Sequence, residues 1–316
     1  MALKRATGPR GPQPMTRLRA MSGPAQGHLA MLLFSALVAG SFALGGQIAN
    51  EIAPAALTAV RFGIAGGIVG LVAWATGGLS RDLLRAPWRF ALLGGVFAVY
   101  FVLMFEGLKT ADPVSTAAVF TLTPVMAAGF GWILMRQVTT PRMALALSVG
   151  AAGALWVIFD ASLAAFLAFD IGRGEAIFFV GCVAHALYAP MARHLNRGES
   201  TAGFAFGILT AGCVLLFLYG WRDVQATDWA SLRPLVWITL GYLTLGASAA
   251  TIVLLQTATL RLPSAKVMAY TYLVPSWVIL WQIALGAAVP DPWVLVGVGL
   301  TCLALVLLLK PETPGG

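Results

Sequence analysis

VFTLTPVMAAGFGWIL (119–134) and AYTYLVPSWVILWQIA (269–284), aligned on Pro124 and Pro275, repeat one pattern. In each, a proline interrupts an apolar run that continues on both sides of it. The match extends without a gap to Pro141 and Pro292. Each proline-bearing run follows a short loop and, before that, another long apolar segment. Working outward, the repeating unit comprises five apolar segments, over residues 29–159 and again over 174–309.

Ten spans are predicted, at 29–49, 55–76, 88–108, 114–135, 141–159, 174–193, 203–221, 235–258, 263–286 and 291–309. At a rise of about 1.5 Å per residue each can cross a hydrocarbon core of about 30 Å. Composition agrees: 59% of the residues are hydrophobic and 10% charged, whereas soluble domains carry about 25% charge. Such a chain cannot cover itself with polar surface, so its outer face must meet lipid. The predicted class is therefore an all-α integral membrane protein with ten transmembrane helices in two five-helix repeats. Because five is odd, the second copy is inverted relative to the first. Inverted repeats of this kind are a transporter design, with the substrate site near the midplane between the halves.

Lysine and arginine placement sets the orientation. With an internal N-terminus, fourteen of the twenty fall in cytoplasmic segments (Lys4, Arg5, Arg10, Arg17, Arg19, Arg81, Arg85, Arg89, Arg136, Arg142, Arg193, Arg197, Arg261 and Lys310). Four fall outside, Lys109, Arg173, Arg222 and Arg233, while Arg61 and Lys266 lie within spans. The positive-inside rule then puts both termini in the cytoplasm of a cell whose inner (plasma) membrane holds the protein. Residues 1–28, rich in Gly, Pro and basic side chains, read as a disordered cytoplasmic tail. The first apolar segment is too long for a signal-peptide core and suits a retained span.

The net charge of +8 does not indicate nucleic acid, because no basic run is interleaved with aromatics. Cys182, Cys213 and Cys302 sit in apolar runs without C-x-x-C spacing and read as small core residues. No G-x-x-x-x-G-K-[ST], H-E-x-x-H or G-x-S-x-G motif is present. Neither an ATPase module nor a metal or other cofactor is expected. An intramembrane enzyme, or a non-transporting scaffold or sensor, is the alternative function.

Polar groups within spans are costly and so become the functional candidates. Arg61 lies about two turns into the second span, and Glu106 lies near the outer end of the third, so the two are expected to pair. His185 sits near the middle of the sixth span, where it could relay protons or simply bond a neighbouring helix. Lys266 lies one turn into the ninth span and is expected to snorkel. Tyr100, Tyr188, Gln256, Tyr270, Tyr272 and Trp277 complete the expected substrate-binding set, as an aromatic lining with amides for a flat or amphipathic metabolite. Gly63-x-x-x-Gly67 and Gly66-x-x-x-Gly70 allow close helix contact, within the chain or between the subunits of a homodimer.

Over nearly its whole length the chain resembles the EamA family of the drug/metabolite transporter superfamily. The likeness rests on APAALTAVRFGIAGG (53–67), FEGLKTADPVSTAAVFTLTPVMAAGFGWILM (105–135) and LQTATLRLPSAKVMAYTYLVPSWVILWQIALG (255–286). An acidic turn common in that family after helices four and nine is replaced here by Met135–Arg136–Gln137 and Gly286–Ala287–Ala288. The resemblance implies ten helices in two inverted halves around a central cavity. It also implies secondary transport of a small-molecule substrate such as an amino acid or related compound, here expected to be exported.

Overall fold

A computed structural model describes residues 23–168 and 171–309. Among the described residues, ten helices are long and apolar enough to cross a membrane. In chain order they are α1 (Gly23–Ile48), α2 (Pro54–Ala75), α3 (Trp88–Gly107), α4 (Pro113–Met135), α5 (Pro141–Ile158), α6 (Arg173–Leu195), α7 (Thr201–Ala226), α8 (Pro234–Thr259), α9 (Ser264–Ala284) and α10 (Pro292–Leu309). Large apolar side chains such as Leu71, Trp74, Leu218, Tyr219, Ile238 and Trp293 stand exposed on the outer faces. That is the surface a lipid solvent requires, and the chain is a multi-pass membrane protein.

The predicted spans agree with these helices within a few residues, except at two ends. α1 starts at Gly23, six residues before the expected 29. Pro24 is tolerated in a first helical turn, where its missing N–H has no partner to lose. The added turn then packs Gly27 against Leu262 and bonds His28 to Tyr270. Residues 23–28 are therefore helix rather than tail, and the remainder of the predicted tail, 1–22, lies outside the described residues. α7 runs to Ala226 through a non-helical Gly220.

Helix contacts follow the repeat. α2 packs along α7, α5 along α10 and α4 against α9, each pairing equivalent helices of the two halves. α3 packs on α6, and its counterpart is α8 on α1. Small residues set the closest approaches. A Cβ on Gly94 would meet the backbone of Gly212 and Ile208 at 2.6 Å, and one on Gly153 would meet the Gly297 carbonyl at the same distance. Gly66 and Gly70 of the predicted small-residue stripe pack on Leu209 and Phe206 of α7, inside the chain.

The two prolines of the repeat act alike. α4 is interrupted between Phe120 and Thr123, just before Pro124, and α9 winds into a 3-10 turn over Tyr270–Leu273, just before Pro275. Proline lacks an N–H and its ring crowds the preceding turn, so each helix changes its winding there. The breaks face each other, with the Thr123 and Thr271 hydroxyls 3.1 Å apart. A third irregularity, the π-helical turn Leu245–Ala250, lies within α8. Two thirds of the apolar window of α1 (67%) is buried against protein, but only 33% of that of α10. α1 is thus a central helix and α10 a peripheral one.

Candidate substrate site

Most of the largest fully buried side chains gather at one place, between α1, α2, α3, α4 and α6; Arg89 and Tyr272 lie elsewhere. α3 supplies Phe97, Tyr100 and Phe101 from one face, since residues three and four apart align on a helix. α6 supplies Phe178, His185 and Tyr188, α1 supplies Phe34 and Phe42, and α4 supplies Phe120. The rings of Tyr100 and His185 lie 4.3 Å apart between centroids, and His185 also approaches Phe120 at 5.0 Å. Phe97 stacks on Tyr188 at 5.0 Å.

Arg61 enters this core from α2, fully buried. Its Nε donates to the Ser248 hydroxyl at 2.9 Å and its Nη2 to the Ala247 carbonyl at 3.1 Å, both in the π-turn of α8. A π-turn shifts the carbonyls out of the regular i−4 pattern and so makes one available to an outside donor. The guanidinium carbon stands 4.0 Å above the Phe101 ring. Its third nitrogen, Nη1, has no acceptor. Nor do the Tyr100 hydroxyl and the two ring nitrogens of His185 have partners, although all are buried. An unsatisfied buried polar group costs about 1–3 kcal/mol, so this cluster is an expensive feature of the resting fold.

The expected Arg61–Glu106 pair does not form. Glu106 turns to Lys109, one helical turn on, at 2.7 Å and is 39% exposed. Among the described residues no carboxylate forms an ion pair with Arg61. Tyr188 and Gln256 border the core, but the Gln256 amide donates to the Tyr188 hydroxyl and the two satisfy one another. Tyr270 bonds His28 at 3.1 Å near the start of α1. Tyr272 presses on Gly150 of α5 and Trp277 donates to Ser35 of α1. Of the nine predicted residues, the structure therefore brings Arg61, Tyr100 and His185 together, with Tyr188 and Gln256 beside them. Glu106, Tyr270, Tyr272 and Trp277 lie elsewhere. Sequence reading passed over Phe120, Phe178 and Ser248, whose only signal was helical spacing from Pro124, His185 and Gln256.

Two ends of the bundle flank this core: the one that starts α1, here the N-terminal face, and the opposite or far face. On the far face opens a cavity of about 720 Å³, lined by Asp112, Ser115, Asp160, Glu175, Gln282 and Asp291. Glu175 accepts from the Ser115 hydroxyl at 2.9 Å. Continuing down α6 and α4 from this vestibule come Phe178 and Phe120, which with Phe42 form a ring of contacts 5.6–6.2 Å apart between centroids. These three phenylalanines separate the vestibule from Tyr100 and His185. Elsewhere on the far face Arg233 bonds Glu51 through two nitrogens, one at 2.8 Å. Those hydrogen bonds hold the Glu51 carboxyl below its ordinary range.

The N-terminal face is tied more heavily. Arg89 donates to Glu199 at 2.6 Å and to the Leu195 carbonyl at 2.5 Å. Partial burial pushes the Glu199 carboxyl upward, and the hydrogen bonds from Arg89 and two backbone amides pull it further down, so its net shift is downward. Arg193 caps the Leu262 carbonyl at 3.0 Å, and the Ser264 amide reaches Gln137 at 3.3 Å. The core is thus shut off from both ends.

A sealed polar core between two inverted halves, with a vestibule on one face, defines a membrane transporter of the drug/metabolite type. The comparisons agree: the model of the EamA-like transporter family matches residues 25–159 and 172–310. This chain belongs to that family. It is 25% identical over 228 residues to the "Uncharacterized transporter YyaM" of Bacillus subtilis (strain 168), across 68% of this chain and 75% of that one. A solved crystal structure of a protein superposes with a TM-score of 0.68 at 22% identity, covering 91% of this chain and 96% of the other. That likeness supports the fold alone.

Proposed function

We propose that the protein is a secondary exporter of a small organic metabolite, an amino acid or related compound, working by alternating access. The carrying observation is the set of unsatisfied polar atoms on Arg61, Tyr100 and His185, held between the halves and walled by aromatic rings. A fold retains such a cost where a ligand relieves it. The halves rock about the broken helices α4 and α9, opening in turn the vestibule on the far face and the ties on the N-terminal face. The lysine and arginine distribution supports both termini lying in the cytoplasm of the inner membrane, which makes the far face external. The chain carries no phosphate-binding loop, so an ion gradient or exchange supplies the driving force.

Inverted membrane vesicles, energised by a pH gradient and given a labelled mixture of amino acids and their acid and amine derivatives, test this. Vesicles containing the protein should accumulate at least one compound above matched vesicles lacking it. Equal accumulation of every compound, in both directions of loading, would sink the transport of this substrate class.

A further inference from the structure

We infer that the site takes its substrate as a monoanion, a planar organic carboxylate whose carboxylate oxygens bind Arg61, Tyr100 and His185. This deepens the transporter reading of the same core and rests on it. The core offers donors in excess: one guanidinium nitrogen, one phenol hydroxyl and one imidazole N–H, each buried and without an acceptor. Arg61 adds a full positive charge. The protein partners of its head are neutral, a serine hydroxyl and a backbone carbonyl. A buried cation without a counter-ion is strongly unfavourable, and an anion brought in by the ligand is the direct remedy.

The arrangement also says what the ligand lacks. A phosphate dianion calls for more than one cation, and Arg61 is the one arginine or lysine among the described residues of this core. The ammonium of a zwitterion would need a carboxylate, and among the described residues none forms an ion pair or hydrogen bond with Tyr100, His185 or Arg61. The vestibule acids begin at Glu175, ten residues before His185 on α6, or about 15 Å along the helix. Around the donors lie Phe34, Phe97, Phe101, Phe120 and Phe178, which suit a flat apolar body. Aromatic and indolic acids fit these terms better than their parent amino acids.

The test is ligand-induced thermal stabilisation of the full chain in detergent at pH 7.5, since a ligand that binds only the folded state raises its melting point. The probes are benzoate, phenylacetate, indole-3-acetate, L-tryptophan, tryptamine and inorganic phosphate. The acids should stabilise, tryptophan should act more weakly, and tryptamine and phosphate should do nothing. Arg61→Gln should weaken the acids by about 30-fold or more, the lower range for removing one partner of a buried charge pair. The ligand-free melting point of that variant should hold or rise, because an uncompensated charge has gone; loss of folding would have lowered it. Tyr100→Phe, which keeps the ring packing, should weaken the acids by about tenfold.

Stabilisation by tryptamine or phosphate in place of the acids overturns the inference and leaves the transporter reading standing. Undiminished binding of the acids by a folded Arg61→Gln protein overturns it equally. Silence from all six probes also overturns it, while the vesicle assay judges transport separately with its wider mixture.

Discussion

At the scale of single residues, the core is governed by which buried polar atoms find partners. Arg61 and Glu106 look complementary along the chain, yet each turns to a nearer or better-placed group. Glu106 reaches Lys109 at i+3 on its own helix end, whereas Arg61 reaches across to α8, 187 positions away. The Glu106–Lys109 pair is half-exposed and so contributes little. Glu106→Gln should shift stability by no more than about 0.5 kcal/mol and leave transport unchanged. A large loss of flux at normal expression would contradict the separation of Glu106 from the core. Tyr188→Phe is a contrasting case. It strands the buried Gln256 amide and should cost about 1–3 kcal/mol. Adding Gln256→Leu should return part of that, as a double-mutant cycle of melting points would read out.

At the scale of elements, glycines and prolines decide where helices touch and where they break. α3 approaches α7 so closely that Gly94 faces backbone, which cannot yield as a side-chain tip can. Gly94→Ala should therefore force the helices apart at a cost of about 1–3 kcal/mol. Gly67, on α2, has open space where its Cβ would go, so Gly67→Ala should be neutral or slightly stabilising. Equal melting points for the two variants would refute this packing of α3 on α7. The breaks before Pro124 and Pro275 were legible as paired prolines, but their mutual contact through Thr123 and Thr271 was not. The end of α4 is also informative: Arg136 adopts a left-handed conformation there (φ 55°), as Gly286 does after α9 (φ 92°). Left-handed caps satisfy the last carbonyls of a helix and usually fall to glycine. The family's acidic turn is thus absent here, but a capped helix end remains at both places.

At the scale of the whole molecule, the two faces differ in how they are closed. The far face carries the vestibule, with the three packed phenylalanines lying further along α4, α6 and α1, while the N-terminal face is held by hydrogen bonds donated by Arg89 and Arg193 and by one that Gln137 accepts from the Ser264 amide. The proposed orientation has a direct readout. In a background without Cys182, Cys213 and Cys302, Asp291→Cys should react with a membrane-impermeant maleimide in intact cells. Arg197→Cys, at the opposite end, should react only after permeabilisation. The reverse labelling would invert the topology and with it the direction in which the vestibule opens.

Ten membrane spans, the repeated halves and the family are all legible in the linear chain. These follow from hydropathy, length and motif order, which are properties of consecutive residues and survive without knowledge of any contact. The sequence also marked Arg61 and His185 as costly to bury and Tyr100 as part of an aromatic lining. That these three meet, that Glu106 stands apart, and that Tyr188 is already satisfied by Gln256 follows from packing between helices. The reason is geometric. A helix presents any residue to lipid or to protein according to its rotation about its own axis, and that rotation is set by neighbours far away in the chain. Where a guanidinium finds a π-turn carbonyl instead of a carboxylate, hydropathy along the chain carries no trace of it.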